Sequence, residues 1–289
     1  MAAVAMVVHP LRPRAADIAV AAAAWLTDRG HDVRMPKDDA DAVGLPALGR
    51  ADEELAHGLD VALALGGDGT ILRAVRLVCQ HGTPILGVNL GRLGYLTSVE
   101  PDDLIPSLER ILAGSYSIED RMMVAVTVER RDRDTDPTGE ESWWALNDAV
   151  VEKPQSGHTI HVAVAINGRF WTTYAADGLI VATPTGSTAY AFSARGPIVS
   201  PRLSALQMTP VSPHMPFDRS LVVDSAEVIR IEVTDDRAAM LLVDGREVAL
   251  LQAGDAVSCT AAPRPARFVT FDGRDFYGIL KAKFGVADR

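Results

Sequence analysis

Cysteine is almost missing from this chain: two residues, Cys79 and Cys259, in 289. They stand far apart on a predicted helix and a predicted strand, which excludes a disulfide framework or a zinc-finger pattern and implies a reducing compartment, read as the cytoplasm. Positive charge is also short. Twenty-eight Lys and Arg face 38 Asp and Glu, a net charge of −10, which argues against a nucleic-acid surface and leaves any anionic ligand dependent on local helix dipoles, single cations or a metal ion. Long apolar runs are absent too. Met1 to Val8 has no basic leader and stops at His9-Pro10, and the alanine-rich Ala15 to Leu26 contains Asp17 and is too short to span a bilayer; neither a signal peptide nor a membrane partner is expected.

What is present is the composition of a globular protein, 48% hydrophobic and 23% charged, with enough length for two domains. The most informative stretch is Asp60 to Arg73, DVALALGGDGTILR. Val61 to Leu65 reads as a buried strand, Gly66-Gly67-Asp68-Gly69 as a tight turn, and Thr70 to Val78 as a helix. Such a junction offers unpaired amides beside glycines, which suits phosphate. An Asp at its apex repels phosphate, so Asp68 needs another purpose: metal binding, proton abstraction or capping of the helix.

Around it the first half alternates strand and helix. Val4 to Val8, His31 to Met35 and Pro84 to Asn89 read as strands; Ala15 to Asp28 and Pro101 to Ala113 read as helices. That alternation implies a doubly wound, Rossmann-like parallel sheet with ligands at the carboxyl ends of its strands. The turns Gly66 to Gly69 and Gly91 to Gly94 should then share one rim, with Asn89 and Tyr95 as candidates for holding a ligand. Pro36 to Arg50 reads as a solvated loop whose Asp38, Asp39 and Asp41 face water.

From Met122 the period changes. Strands are predicted at Met122 to Glu129, Trp143 to Glu152, His158 to Ile166, Arg169 to Ala175, Gly178 to Ala182, Val222 to Val223, Glu227 to Val233, Met240 to Val243, Val257 to Ala261 and Phe268 to Phe271, with Arg131 to Glu141 as a hairpin loop. Asn167-Gly168 and Asp244-Gly245 are hairpin turns, the latter without assigned chemistry. The expected organisation is α/β plus β: an α/β nucleotide-binding domain from Met1 to Ser117, a mainly antiparallel β-sandwich from Ile118 to Arg274, and a final helix in Asp275 to Arg289 that packs back on the first domain. Two blocks exceed what a sandwich needs. Asn147-Asp148 interrupts an apolar strand, so something must satisfy those polar groups. Ala176 to Pro197 runs a strand into a turn with four hydroxyls, Thr183, Thr185, Ser187 and Thr188, where a cap requires one.

Three ordered motifs, GGDGT at Gly66 to Thr70, Asn147-Asp148, and DGLIVATPTGSTAYAFSARGP at Asp177 to Pro197, with NLGRLGYL at Asn89 to Leu96, make the chain resemble bacterial NAD kinases. The first motif is shared with lipid kinases; the last is specific. The resemblance implies transfer of the terminal phosphoryl group of ATP, as a Mg²⁺ complex, to the 2′-hydroxyl of the adenosine ribose of NAD. It implies Asp68 as the base, Gly67, Gly69 and Thr70 against phosphate, and Tyr95 beside the adenine, with Arg73 and Asn89 as further candidates for substrate binding. For the dinucleotide it implies Asn147, Asp148, Asp177, Thr188, Ala189, Tyr190 and Ser193, so that segments of both halves would serve one ligand. It further implies a homodimer or homotetramer, with polyphosphate as a possible second donor. Two departures stand out. Asp148 is one methylene shorter than the usual Glu, and Arg195 replaces a usual Gly, which is either a strained substitution or a phosphate grip. The alternatives are a diacylglycerol- or sphingosine-type lipid kinase, which a basic membrane-facing surface would favour, and a non-catalytic dinucleotide sensor, which loss of Asp68 would favour.

Overall fold

The computed structural model describes residues 1–9, 12–91, 94–131, 141–155, 157–271 and 275–285. The predicted hairpin loop at Arg131 to Glu141 and the Arg92-Leu93 pair of the second glycine turn therefore lie almost wholly or wholly outside the described residues. The chain forms two compact units, one of Met1–Asp120 together with the residues from Pro265 onward, the other of Arg121–Arg264. Among the described residues, no helix is long and apolar enough to cross a membrane.

The first unit is built on a seven-stranded sheet. Its strands are β1 (Ala3–Val8), β2 (Asp32–Pro36), β3 (Gly49–Arg50), β4 (Val61–Gly66), β5 (Ile85–Asn89), β6 (Ser117–Arg121) and one late arrival, Ala266–Thr270. The order is β3-β2-β1-β4-β5, then the late strand, then β6. The registered pairs from β3 through to the late strand are parallel. β1 and β4 are continuous apolar runs buried along nearly their whole length, the pattern of strands covered on both faces. Helices α1 (Pro13–Thr27), α4 (Asp68–Val78) and α5 (Leu104–Leu112) supply the cover, with α2 (Lys37–Ala42) and the short α3 (Asp52–Leu55) beside β2. Strand order reverses between β1 and β4, so the loops leaving these two strands meet at a topological switch point, the usual ligand position in such sheets.

The second unit stacks two six-stranded antiparallel sheets. One contains β7 (Val124–Glu129), β8 (Ser142–Ala145), β10 (Ile160–Ile166), β11 (Arg169–Ala176), β15 (Ile229–Val233) and β18 (Ala256–Ala261); the other contains β9 (Asp148–Glu152), β12 (Gly178–Ala182), β13 (Ala205–Val211), β14 (Leu221–Asp224), β16 (Ala239–Val243) and β17 (Arg246–Leu251). In β7, β10 and β15 buried and half-buried residues alternate. Inward side chains of both sheets, among them Val126, Val162, Tyr174, Leu179, Leu241 and Val257, form one core. Asn167-Gly168 and Asp244-Gly245 turn their hairpins with positive φ at both residues, as their sequence demands.

Three features depart from the sequence reading. The late strand, here β19 (Ala266–Thr270), joins the parallel sheet through Phe268 against Ile85 instead of the sandwich, so the chain returns to the first unit before the final helix, α7 (Phe276–Phe284). Trp143 to Glu152 is two strands in different sheets, β8 and β9, because the chain bends at Leu146-Asn147. Ala205–Val211, which contains Pro210, is a full strand opposite β12.

The predicted solvated loop Pro36 to Arg50 is also corrected. Asp39 lies on α2 and is 2% exposed. Its carboxylate accepts the Val8 N–H at 2.7 Å and pairs with the Arg73 guanidinium. Burial raises the Asp39 pKa, against the lowering effect of the Val8 amide and Arg73. Replacing Arg73 by Met leaves a buried carboxylate unpaired and should destabilise the protein by about 3 kcal/mol, read as a lower urea midpoint; Asp39→Asn in the same background should recover part of that loss.

Candidate functional site

β4 ends in Gly66 because nothing larger fits: a Cβ there would lie 2.1 Å from Thr70 Oγ1. Gly67 then forms the N-cap of α4 without a side-chain cap bond. Asp68 begins the helix, and its carboxylate does not cap it. The carboxylate reaches across to the second glycine turn and accepts the Tyr95 N–H at 2.9 Å and the Leu96 N–H at 3.0 Å. Gly94 makes this reach possible, since a Cβ on it would sit 2.2 Å from Asp68 Oδ1. Of the three roles the sequence left open for Asp68, capping is therefore removed.

The two glycine turns share one rim, as expected. Gly66 and Asn89 are register partners on β4 and β5, and Leu90 N donates to Gly66 O at 3.0 Å. The Asn89 side chain is absorbed by this junction: Nδ2 donates to Glu100 at 3.0 Å and Oδ1 accepts the Gly91 N–H at 3.2 Å. At the switch point a cavity of roughly 620 Å³ is lined by Gly67, Asp68, Gly69 and Thr70. The same cavity is lined by His9, Arg12, Arg73 and Lys283. The amides of Asp68 and Gly69, in the first turn of α4, have no partner within the helix, so the cavity offers amide donors, cations and one carboxylate. Sequence reasoning named Arg73 but missed Arg12 and Lys283, which carry no motif signature. Arg73 is largely committed, bonding Val8 O at 2.7 Å as well as Asp39. Tyr95 adds its ring, over which the Lys283 ammonium lies 4.3 Å from the centroid; burial and then the Asp68 charge raise the Tyr95 pKa.

In the second unit the bend at Asn147-Asp148 has a cause the sequence did not reveal. Asp244, in a hairpin turn assigned no chemistry, points its carboxylate at three consecutive amides, Leu146 at 2.9 Å, Asn147 at 2.7 Å and Asp148 at 3.2 Å. Thr183 holds the same bend from the other side, donating its hydroxyl to Leu146 O at 2.5 Å and its N–H to Asn147 O at 2.8 Å. Gly186 packs on it so closely that a Cβ would fall 2.0 Å from Asn147 O. The Asp148 side chain is thereby fixed in a buried position, 4% exposed. Burial, with the Asp244 charge second, raises its pKa to about 7. Burial raises the Asp244 pKa as well, opposed by its three amides.

The hydroxyl-rich turn is spent differently from the sequence argument. Besides Thr183, Ser187 Oγ bonds Pro184 O at 2.7 Å and accepts the Val199 N–H at 2.9 Å, and Thr188 Oγ1 bonds Thr185 O at 3.1 Å. Three of the four hydroxyls thus build the turn itself. Ala189 leads into a short helix, α6 (Tyr190–Ser193). Tyr190 is 40% exposed, its hydroxyl 3.5 Å from Glu152, and with Ser193 it lines a second cavity of roughly 360 Å³ that also carries Arg195 and Arg219. Asp177 is paired with Lys153 at 2.7 Å. Arg195 ends α6 at φ +67°, a left-handed conformation, and the Gly196 N–H closes the turn on Ala191 O at 2.8 Å.

Comparison with known proteins matches both units. Residues 4–116 match the family model of the ATP-NAD kinase N-terminal domain and residues 146–271 that of the C-terminal domain. The chain is 43% identical to an NAD kinase of Moorella thermoacetica over 98% of its own length and 89% of the relative's, and 42% identical to one of Heliobacterium modesticaldum over 98% of both. Among solved structures it resembles yeast NADH kinase complexed with NADH, with a TM-score of 0.88, 25% identity, and coverage of 100% of this chain and 89% of that one. It also resembles an NAD kinase from Archaeoglobus fulgidus in complex with ATP, with a TM-score of 0.74, 25% identity and full coverage of both chains.

The site geometry generates two predictions. An unfolded Asp titrates near 3.9, so between about pH 4 and pH 7 the folded protein holds a proton on Asp148 that the unfolded chain has lost. Stability contributed by this group is complete below the lower value, falls as pH rises between the two and is lost above the upper one. Asp148→Asn should flatten the decline in urea midpoint between pH 5 and pH 8. Arg195→Gly should relieve the left-handed strain and raise stability by up to about 1 kcal/mol, the gain being reduced by glycine's larger unfolded entropy; thermal melts check it.

Proposed function

The chain belongs to the NAD kinase family, and from that premise we propose how its residues divide the reaction. The protein is an NAD kinase: the terminal phosphoryl group of ATP passes to the adenosine-ribose 2′-hydroxyl of NAD, giving NADP and ADP. In this transfer the hydroxyl oxygen bonds to the γ-phosphorus, the bond from that phosphorus to the β,γ-bridging oxygen breaks, and the hydroxyl proton needs an acceptor. The observation that carries the assignment is the fixed carboxylate of Asp68 at the cavity of the switch point.

Asp68 is the base. Each oxygen accepts one amide and retains a lone pair, so the group is held in place without being consumed, and its proton acceptance requires no rearrangement of the turn. Gly67, Gly69 and Thr70 present the start of α4 to phosphate, where amide dipoles favour negative charge. The free lone pairs of Asp68 suit an oxygen-ligating cation, and a magnesium ion bound to the donor's phosphates would supply neutralisation of the charge developing on the transferred group. Arg73 acts through Asp39 and Val8, fixing the first strand end beside the cavity.

In the second unit Asn147, Asp148, Asp177, Thr188, Ala189, Tyr190 and Ser193 form the dinucleotide-recognition set. Asp148 accepts a ribose hydroxyl, the partner that a buried carboxyl group lacks within the described residues. Tyr190 offers an exposed ring face for packing, and the shorter reach of Asp148 relative to Glu is matched by its tight anchorage through Asp244. Asn89 supports the Tyr95 turn and meets the adenosine only through it. We read the protein as a cytoplasmic homo-oligomer. The exposed Phe170 and the exposed Trp171, stacked edge-on against Phe217 on the second unit, support a face covered by a second copy.

Purified protein with NAD and MgATP should form NADP. Asp68→Asn should lower kcat by at least about a thousandfold, in the range for loss of a general base combined with misplaced charge, while NAD still raises the melting temperature. Formation of no NADP by the wild type, with phosphorylation of diacylglycerol in its place, would overturn the reading.

A further inference from the structure

We propose that Lys283, carried by the last helix, and Arg12, carried by the loop after the first strand, together grip the terminal phosphates of a triphosphate chain in the cavity beside Asp68. The inference rests on the phosphoryl-transfer reading and adds to it the residues that make the cavity acceptable to a polyanion.

The need for such a pair follows from charge. A triphosphate entering the cavity meets Asp68, and the whole chain carries a net charge of −10, so the lining must supply compensation locally. The Arg73 guanidinium is already neutralised by the buried Asp39. Arg12 and Lys283 are in a different state. Arg12 donates to a neutral acceptor, Leu90 O, at 2.5 Å, and neither residue forms an ion pair among the described residues. Both line the cavity that contains Asp68. The cavity that holds the start of α4 thus carries two cations without an ion-pair partner among the described residues.

Each cation is also positioned. The Arg12 guanidinium enters a space that only glycine leaves open, since a Cβ on Gly91 would lie 2.3 Å from Arg12 Nη1. Its carbonyl contact occupies one edge of a planar fork with five donors, leaving others for phosphate. Lys283 lies in the last turn of α7, whose start is capped by the Asp275 carboxylate accepting the Gly278 N–H at 2.9 Å and whose end turns at Gly285 with φ +60°. The ammonium rests 4.3 Å from the centroid of the Tyr95 ring. Tyr95 in turn donates its N–H to Asp68. A single residue thus links the last helix to the base. A lysine serving only solubility gains nothing from being held over a ring at the mouth of a glycine-lined cavity.

The shared chemistry is a triphosphate, which ATP and inorganic tripolyphosphate both present, so both are used as probes. Titration calorimetry on the full chain should compare wild type, Lys283→Met and Lys283→Arg with MgATP, magnesium tripolyphosphate and NAD. Lys283→Met should weaken both phosphate probes about tenfold or more, as expected for loss of a charge-assisted contact. Lys283→Arg should stay within about threefold of wild type, and NAD affinity should be unchanged in both variants. Arg12→Lys, which keeps the charge and loses the fork, should weaken the two phosphate probes and spare NAD. The proposal fails if Lys283→Met binds both phosphate probes like wild type, if it weakens ATP and spares tripolyphosphate, or if it weakens NAD to the same degree. Should the wild type form no NADP yet bind tripolyphosphate in a Lys283-dependent way, the phosphate grip stands and the acceptor assignment falls.

Discussion

A carboxylate drawn out of water must be met by hydrogen-bond donors, and in this protein the donors are repeatedly main-chain amides of a distant segment. Asp39 takes the amide of Val8, Asp68 those of Tyr95 and Leu96, and Asp244 those of Leu146, Asn147 and Asp148. Each bond ties a strand end to a turn that local propensity would leave undetermined. Because an unmet carboxylate costs several kcal/mol, these ties specify geometry more sharply than apolar packing of the same area would. The sheets bring the turns near each other, and the carboxylates set their final positions.

The same constraint separates the roles of the acidic residues. Asp244 and Asp148 are neighbours in a dry bend, but Asp244 receives three amides and Asp148 none on its side chain. Asp244 is thereby the anchor and Asp148 the group left with capacity for a ligand. Asp68 stands between these extremes, with one amide per oxygen. Asp39 neutralises a guanidinium that would otherwise join the cavity's positive wall. Counting acidic residues in the sequence distinguishes none of these states; counting their donors distinguishes all of them.

The parts of the fold readable from sequence are those in which local pattern and tertiary fate agree. Val61 to Gly69 encodes strand and glycine turn within ten residues, and Asn167-Gly168 encodes a hairpin whose φ values only such residues adopt readily. Two of the misreadings share one cause, a partner far away in sequence. Asp39 looked solvated because Arg73 is 34 residues distant, and Trp143 to Glu152 looked like one strand because the Asp244 that bends it is about 97 residues distant. Ala205–Val211 carries a weak local strand signal because Pro210 is a poor strand residue by propensity, although opposite Leu179 it needs no ladder donor of its own. In the site, Asp68 and the Asn147-Asp148 pair were legible because their polarity conflicts with their surroundings. Arg12 and Lys283 were not, since a surface cation conflicts with nothing until a cavity forms around it.

The late return of β19 to the parallel sheet has a consequence for how the molecule is made. On the ribosome, β5 emerges early; Ser98 and Val99 soon cover its Gly87–Asn89 end, but the edge at Ile85 has no registered partner on that side until Phe268 is synthesised, after the entire sandwich unit has passed. Through most of translation the nascent protein therefore carries an open strand edge, the type of surface that recruits other chains. Premature termination anywhere between the two units would leave that edge exposed permanently, so a fragment ending after β6 is expected to aggregate instead of persisting as a small folded domain.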